Sequence, residues 1–234
     1  MGAITISREY GSDGRTVGQK VAEILACLYV EKELIVEVAR RAEVPAAELE
    51  RFDEHPENTA VRVLRKLLMP KYDETLYGAI GYGWWPSDVI ADLPTRGTSL
   101  AAEIEEDDYV RMTQEVMMQL AYERDVVLIG RGSQALLGFS DNALHVRLVA
   151  PLEFRIETVV KRDGLGHEKA HKQIRKVDEA RRLYIKRHYG IEWDDPQHYH
   201  MILNTCQVGV EETACLIADA ARYMAVERQS MVGN

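Results

Sequence analysis

Short apolar runs alternate along the chain with segments whose apolar residues recur every three or four positions. The runs AITIS, VVLIG and ALHVRLV, at 3–7, 126–130 and 143–149, predict buried strands, and MILNT at 201–205 predicts the last one. Residues 28–30 offer a further short strand. Strands that alternate with helices are typical of a parallel sheet covered on both faces. We therefore expect an α/β fold.

The helical periodicity is clearest in the second half of the chain. It predicts helices from about residue 15 onward, in pieces between 34 and 69, over 106–123, from 151 to about 162, over 167–188 and from 210 onward. Residues 70–99 break the pattern, because glycines and prolines interrupt them and Trp84 and Trp85 stand side by side. This stretch is too long for an ordinary loop and predicts an insertion or a lid.

Composition narrows the classes of protein that remain. The chain has 234 residues, a formal net charge of -9 and a pI near 5.4, which argue against a protein that coats nucleic acid but leave room for a local basic pocket. Its 3 cysteines show no CxxC spacing, so neither a disulfide framework nor a zinc site is favoured. The sequence has no apolar run of the roughly 20 residues that span a bilayer and no signal segment. We expect a cytoplasmic protein without a membrane or nucleic-acid partner.

A glycine-containing turn follows the first predicted strand and leads into a helix. Gly11 and Gly14 would let the backbone curl around an oxyanion beside the helix N-terminus, while Ser12 and Thr16 would add hydroxyl contacts to phosphate or Mg²⁺. The P-loop pattern G-x-x-x-x-G-K-[ST] is not met, because Arg15 stands where that pattern has lysine. A plain tight turn between strand and helix explains the glycines equally well.

Two further basic features point to phosphate. Arg131 lies between two glycines directly after the strand at 126–130, where a charged side chain faces the ligand crevice of an α/β sheet. The alternative is a surface arginine in a turn. The predicted helix at 167–188 carries a basic strip that would close over a polyphosphate, or would simply be solvated. One face of that strip holds Arg175, Asp178, Arg182 and Lys186, flanked by Arg181 and Arg187.

Three separated motifs in this order resemble the cytidylate kinase-like proteins, which belong to the nucleoside monophosphate kinase group. The motifs are ITISREYGSDGRTVG, VLIGRGSQALLGFSDNALHVRLVAPLEFRIE and KVDEARRLYIKRHYG. The resemblance implies a three-layer P-loop kinase-like fold with a mostly parallel five-stranded sheet, a helical insertion and a lid. It implies a core at 1–42 and 126–226, a lid at about 163–195, and an insertion at 43–125 in the acceptor-binding position.

The resemblance also implies roles for individual residues. In one register the family loop G-x-S-G-x-G-K-G-T sets Gly11 and Ser12 on its central G-x pair and Thr16 on its final threonine, with Gly14 replacing the lysine. In the other register Arg15 replaces the lysine. Either way the loop has no lysine. Nucleotide-binding residues would be Gly11, Ser12, Gly14, Arg15 and Thr16, with Thr16 on Mg²⁺.

The remaining implied residues lie after the third and fourth strands. Arg131 matches the arginine of a G-R-D segment that serves the acceptor nucleotide, but Gly132 replaces the aspartate. Asp178 and Arg181 match the last part of the lid pattern R-D-x-x-D-x-x-R, and Arg182 follows them. Arg155 resembles an arginine that begins the lid-bearing helix.

The function that these matches imply is phosphoryl transfer from ATP to CMP or dCMP, with Mg²⁺ and small nucleotides as the binding partners. The missing loop lysine and the GRG segment suit an alternative, a nucleotide-binding regulatory module with weak or no turnover. A third hypothesis is a protein-interaction surface at Trp84 and Trp85. The oligomeric state and the acceptor stay open.

Overall fold

Five parallel strands form one sheet within the part of the chain that the computed structural model describes, residues 2–31, 106–138 and 140–232. The strands are β1 (Ala3–Arg8), β2 (Leu28–Val30), β3 (Val126–Ile129), β4 (Ala143–Val149) and β5 (Met201–Asn204). Their order across the sheet is β2-β3-β1-β4-β5, so β1 lies at the centre. The predicted α/β fold with a five-stranded parallel sheet is confirmed.

The helices follow the predicted periodicity closely. They are α1 (Gly14–Leu25), α2 (Glu106–Glu123), α3 (Ser133–Leu136), α4 (Leu152–Asp163), α5 (His167–Tyr189), α6 (Thr205–Val208) and α7 (Val210–Val232), with a short 3₁₀ turn at Pro196–His198. The last strand is one residue shorter than predicted. The Asn204 side chain ends it by accepting hydrogen bonds from the backbone N–H groups of Cys206 and Gln207, at 3.1 and 3.4 Å, and so caps α6.

Alternate residues of β1 face two separate apolar layers. Ile4 and Ile6 pack with the helices α1 and α7 on one face of the sheet, while Ala3 belongs to the other face with α2 and the end of α5. Tyr109 is fully buried in that second layer, as its helical spacing predicts. The sheet is therefore the middle of three layers, and the C-terminal ends of all its strands open on one edge.

The helices α4 and α5 form a hairpin at this edge. Gly164 ends α4 in the left-handed region, with a φ of 66°, and α5 begins three residues later. Ile156, Val159 and Ile174 make a small apolar cluster of their own between the two helices. The hairpin covers most of the predicted lid.

Some predictions concern residues outside the described ranges. These are the helical pieces between 34 and 69, the irregular stretch at 70–99 with Trp84 and Trp85, and all of the predicted insertion before α2. Among the described residues, no helix combines the length and the apolar composition needed to cross a membrane.

Candidate functional site

The loop that joins β1 to α1 is tight because other parts of the chain press against it. Gly11 has a φ of +86°, and a Cβ placed there would lie 2.7 Å from the backbone oxygen of Arg155. Ser12 is buried, and its hydroxyl donates to the carbonyl of Glu9 at 2.8 Å. The close approach of α4 therefore requires the first glycine, and the Ser12 hydroxyl serves the turn itself.

The N-terminus of α1 has the character of an anion site. Its N-cap residue Asp13 makes no capping hydrogen bond through its side chain, and the first turn contains no acidic residue. The first N–H groups of an α-helix have no partner within the helix, and together with the helix dipole they favour a negative charge. Thr16 is exposed in this turn. Gly14 allows the helix to start against the strand, because a Cβ there would lie 2.6 Å from the Cβ of Arg8.

Arg15, the residue in place of the loop lysine, is bound side-on by Glu31. Its Nε and Nη2 atoms donate to the two carboxylate oxygens at 2.6 and 3.1 Å. Glu31 directly follows β2 and also accepts from Arg8 Nη2 at 3.3 Å and from the hydroxyl of Tyr29 at 3.1 Å. Burial would raise the pKa of Glu31, but Arg8 and Arg15 outweigh that effect and lower it to about 2. Glu31 is therefore ionised at neutral pH.

Tyr10, within the loop, is clamped by the α4–α5 hairpin. Its backbone N–H donates to Asp178 at 2.8 Å, and its hydroxyl accepts from Arg162 at 2.7 Å and from Gln173 at 2.9 Å. Asp178 in turn binds Nη1 of Arg155 at 2.5 Å. A carboxylate from α5 thus accepts a hydrogen bond from one of the loop's N–H groups, and the hairpin is docked on the loop.

The two neighbouring arginines of α5 face different surroundings. Arg181 is buried and donates through Nη1 to the backbone oxygen of Arg8 at 2.9 Å, next to the ring of Tyr10. Arg182 is bound by Glu179 at 2.7 Å and Asp194 at 2.9 Å. Of this predicted pair, the structure brings only Arg181 to the glycine loop.

Arg131 lies at the end of β3 in an unusual backbone conformation. It has a φ of 54°, and Nη1 of its buried side chain donates to the hydroxyl of Tyr109, on the first helix after the undescribed segment. The Tyr189 hydroxyl donates to the backbone oxygen of Arg131 at 2.8 Å. Gly132 follows with a φ of +72°, and a Cβ there would lie 2.1 Å from Cε2 of Tyr189. The GRG segment is thus packed beneath the tyrosine.

A cleft of about 670 Å³ lies beside the docked hairpin. Its walls include Leu152 and Ile174 as apolar surface, Arg175 and Lys176 as cations, and Asp178, whose carboxylate separates the cleft from the glycine loop. The cleft adjoins the predicted basic strip, so part of that strip lines a cavity.

Several residues of this site were not predicted from the sequence. Arg8 and Glu31 each stand at the end of a strand, a position that indicates a site residue in an α/β sheet. Tyr10 and Arg162 carry no such signal, because neither position belongs to a recognisable pattern. Their role depends on how the hairpin docks.

The architecture defines a class, the three-layer α/β proteins with a parallel five-stranded sheet. The model of the cytidylate kinase-like family matches residues 3–207 of the chain, and the protein therefore belongs to that family. Its residues are 34% identical over 83 residues to the cytidylate kinase of Aeropyrum pernix, covering 35% of this chain and 48% of that one. They are 31% identical over 110 residues to the cytidylate kinase of Methanopyrus kandleri, covering 44% and 57%.

These curated relatives are matched over about half of their length, from 48% to 57%. Among solved structures, an uncharacterized protein from Eubacterium ventriosum shares the fold, with a TM-score of 0.63 and 17% identity over 95% of this chain and 99% of that one. The resemblance stated from the motifs is confirmed at the level of family and fold.

Proposed function

We propose that this protein is a nucleoside monophosphate kinase-type phosphotransferase that moves the γ-phosphoryl group of ATP to CMP or dCMP. The observation that carries the proposal is the uncapped N-terminus of α1, which stands beside the guanidinium groups of Arg15 and Arg162 at the open edge of a parallel sheet. Family membership and two relatives named cytidylate kinase support the direction of the proposal.

The donor phosphates would lie against the first turn of α1. The backbone N–H groups of Gly14, Arg15 and Thr16 offer hydrogen bonds there, and the Arg15 side chain supplies positive charge. Gly11 and Ser12 would shape the turn, as their packing already does. Arg181 would link the lid helix to this loop through the backbone oxygen of Arg8.

Among the described residues, no three His, Cys, Asp or Glu side chains cluster as metal ligands. Mg²⁺ in phosphotransferases is held largely by phosphate and water, with one or two protein oxygens, so the exposed Thr16 hydroxyl fits such a role. Bound there, Mg²⁺ would neutralise charge on the phosphates.

The acceptor would bind at the C-terminal end of β3. Arg131 stands at the end of β3 and is tied to α2 through Tyr109. Its guanidinium would hold the acceptor phosphate in line with the donor, once the Tyr109 contact is exchanged for phosphate. The protein would then act by orientation and charge stabilisation, without a covalent intermediate.

A second candidate function is a nucleotide-binding module without turnover. The specific observation in its favour is that two carboxylates already engage the loop: Glu31 binds Arg15, and Asp178 binds the N–H of Tyr10. If these contacts persist with nucleotide bound, the reactive phosphate would lack part of its stabilisation.

The two functions separate in a coupled assay of ADP release with ATP, Mg²⁺ and a panel of CMP, dCMP, UMP, AMP and GMP. We expect turnover with a cytidine monophosphate and a collapse of that turnover in Arg15→Ala. Lys20→Ala is the matched control, because Lys20 lies on the same helix and pairs with the exposed Glu211 at 2.6 Å. ATP binding without turnover on any acceptor would reject the kinase and favour the binding module.

A further inference from the structure

We infer that Glu31 is a positioning residue: it holds the guanidinium of Arg15 side-on beside the N-terminus of α1, so that the opposite edge of Arg15 is presented to an anion. The inference rests on the proposed function and adds a residue to its donor site. Glu31 itself acts through Arg15 and needs no contact with the nucleotide.

The side-on geometry leaves part of Arg15 available. A guanidinium carries five N–H donors in a planar fork, and Glu31 engages only the Nε and Nη2 side. The Arg15 side chain is 48% exposed, and within the described ranges its guanidinium makes no further hydrogen bond. The Nη1 edge therefore faces outward from the ion pair, on the first turn of a helix whose N–H groups favour anions.

Glu31 is a firm support because it is itself fixed on several sides. Its side chain is 10% exposed, and it receives hydrogen bonds from Arg8 on β1 and Tyr29 on β2 as well as from Arg15. A carboxylate held by three donors cannot swing with the arginine. Ordering a long arginine side chain costs conformational entropy, and a fixed partner removes much of that cost before the ligand arrives.

Positioning also accounts for the residue that replaces lysine. Arginine is longer and forked, so without an anchor its charge would sample many directions from the loop. Lys20 shows the contrast on the same helix: it pairs with Glu211, whose side chain is 69% exposed, and no other described residue forms a hydrogen bond or ion pair with either side chain. Of these two cations on α1, Arg15 at the helix start is therefore the one held by a buried carboxylate, that of Glu31.

The test is a double-mutant cycle read by calorimetric binding of ATP with Mg²⁺, using wild type, Glu31→Gln, Arg15→Ala and the double variant. We expect Glu31→Gln to weaken ATP binding about tenfold in the presence of Arg15 and to have little effect when Arg15 is absent. Glu211→Gln, which removes a carboxylate from another α1 cation, should leave ATP affinity unchanged. Thermal unfolding checks that each variant is folded.

Each outcome decides the inference. Tighter ATP binding in Glu31→Gln would show that Glu31 sequesters Arg15, and equal effects with and without Arg15 would show a purely structural role; either result overturns the inference. If Glu31→Gln does not fold, Arg15→Lys replaces it, since lysine keeps the charge but cannot hold the side-on pair. Unchanged ATP affinity in Arg15→Lys would overturn the inference as well.

Failure of the proposed function gives a different pattern. Wild type that binds ATP but phosphorylates no acceptor rejects the kinase, while the binding cycle still decides the role of Glu31. Wild type that turns over CMP, with no loss of ATP affinity in Glu31→Gln, rejects the inference alone. Wild type that does not bind ATP rejects both.

Discussion

Replacement of Asp178 by asparagine would loosen the docking of the α4–α5 hairpin on the glycine loop. Asp178 accepts a hydrogen bond from the N–H of Tyr10 at 2.8 Å and one from Nη1 of Arg155 at 2.5 Å. The side chains of the Asp178–Arg155 ion pair are nearly buried, 13% and 11% exposed. An amide can still accept from Tyr10 but carries no charge for Arg155. The nearest other carboxylate to Arg155 is that of Glu9, at 3.5 Å from Nε.

The expected cost follows from the loss of one charge-assisted hydrogen bond in a poorly solvated place. Such bonds contribute about 1.5 to 3 kcal/mol, so we expect Asp178→Asn to lower the free energy of unfolding by about 2 kcal/mol. Urea unfolding measures that change. Hydrogen exchange of the loop peptide containing Tyr10 should accelerate at the same time, because the docked hairpin protects its amide.

The matched control is Glu179→Gln, one residue along the same helix. Glu179 binds Arg182 at the surface, with side chains 56% and 39% exposed, so its loss should matter much less. If Asp178→Asn cost no more than Glu179→Gln, or left the exchange of the loop peptide unchanged, the interpretation of Asp178 as the link between the glycine loop and the α4–α5 hairpin would be refuted.

Two further changes test other parts of the structure. Gly132→Ala should destabilise the protein by about 2 kcal/mol or more, since alanine disfavours a φ of +72° and its Cβ would meet Tyr189 at 2.1 Å; thermal unfolding measures this loss. Burial and His200 lower the pKa of His145 from 6.5 to about 4, so the folded protein keeps this histidine neutral. Its contribution to the free energy of unfolding, at most about 3 kcal/mol, is therefore lost as pH falls from 6.5 toward 4. His145→Asn retains an acceptor for Thr5 and should flatten the decline in unfolding free energy between pH 7.5 and 5.

Both expectations have clear contrary results. A Gly132→Ala protein as stable as wild type would mean that Tyr189 does not cover the glycine as described. A decline with falling pH that is equally steep in His145→Asn would assign the acid sensitivity to other groups. The titration of Glu31 does not affect the decline measured between pH 7.5 and 5. Its pKa is about 2, so the stability that Glu31 contributes is lost only below about pH 4.5.

The strands and helices could be predicted because each is encoded locally. Five of the seven residues at 143–149 are apolar, as expected of a strand buried on both faces of a parallel sheet, and β4 has those bounds. The helix at 106–123 has apolar residues at helical spacing, and Tyr109 is buried as the spacing implies. The strand ends differ by one residue: β1 continues to Arg8, β3 ends at Ile129, and β5 ends at Asn204, whose side chain caps the next helix.

Single residues of the candidate site could be predicted, among them the loop glycines, the arginines and Asp178, but their pairing could not. Arg15 and Arg131 follow strands, and the family resemblance points to them, but their partners lie far away in sequence. Tyr10 meets Asp178 across 168 residues, and this contact depends on the docking of two helices. The partner of Arg15 depends on the position of β2 at the sheet edge, which no local pattern specifies. Sequence patterns thus identify individual polar groups, and the fold determines which of them pair.

Product analysis with ATP labelled in its γ-phosphoryl group tests the proposed phosphoryl transfer most directly. The protein is incubated with labelled ATP, Mg²⁺ and CMP, and the label is followed by chromatography beside an Arg15→Ala sample. We predict that the label appears in CDP with wild type and is lost from CDP in the variant. Label found only in inorganic phosphate, or left in ATP, would contradict the assignment of this protein as a nucleoside monophosphate kinase.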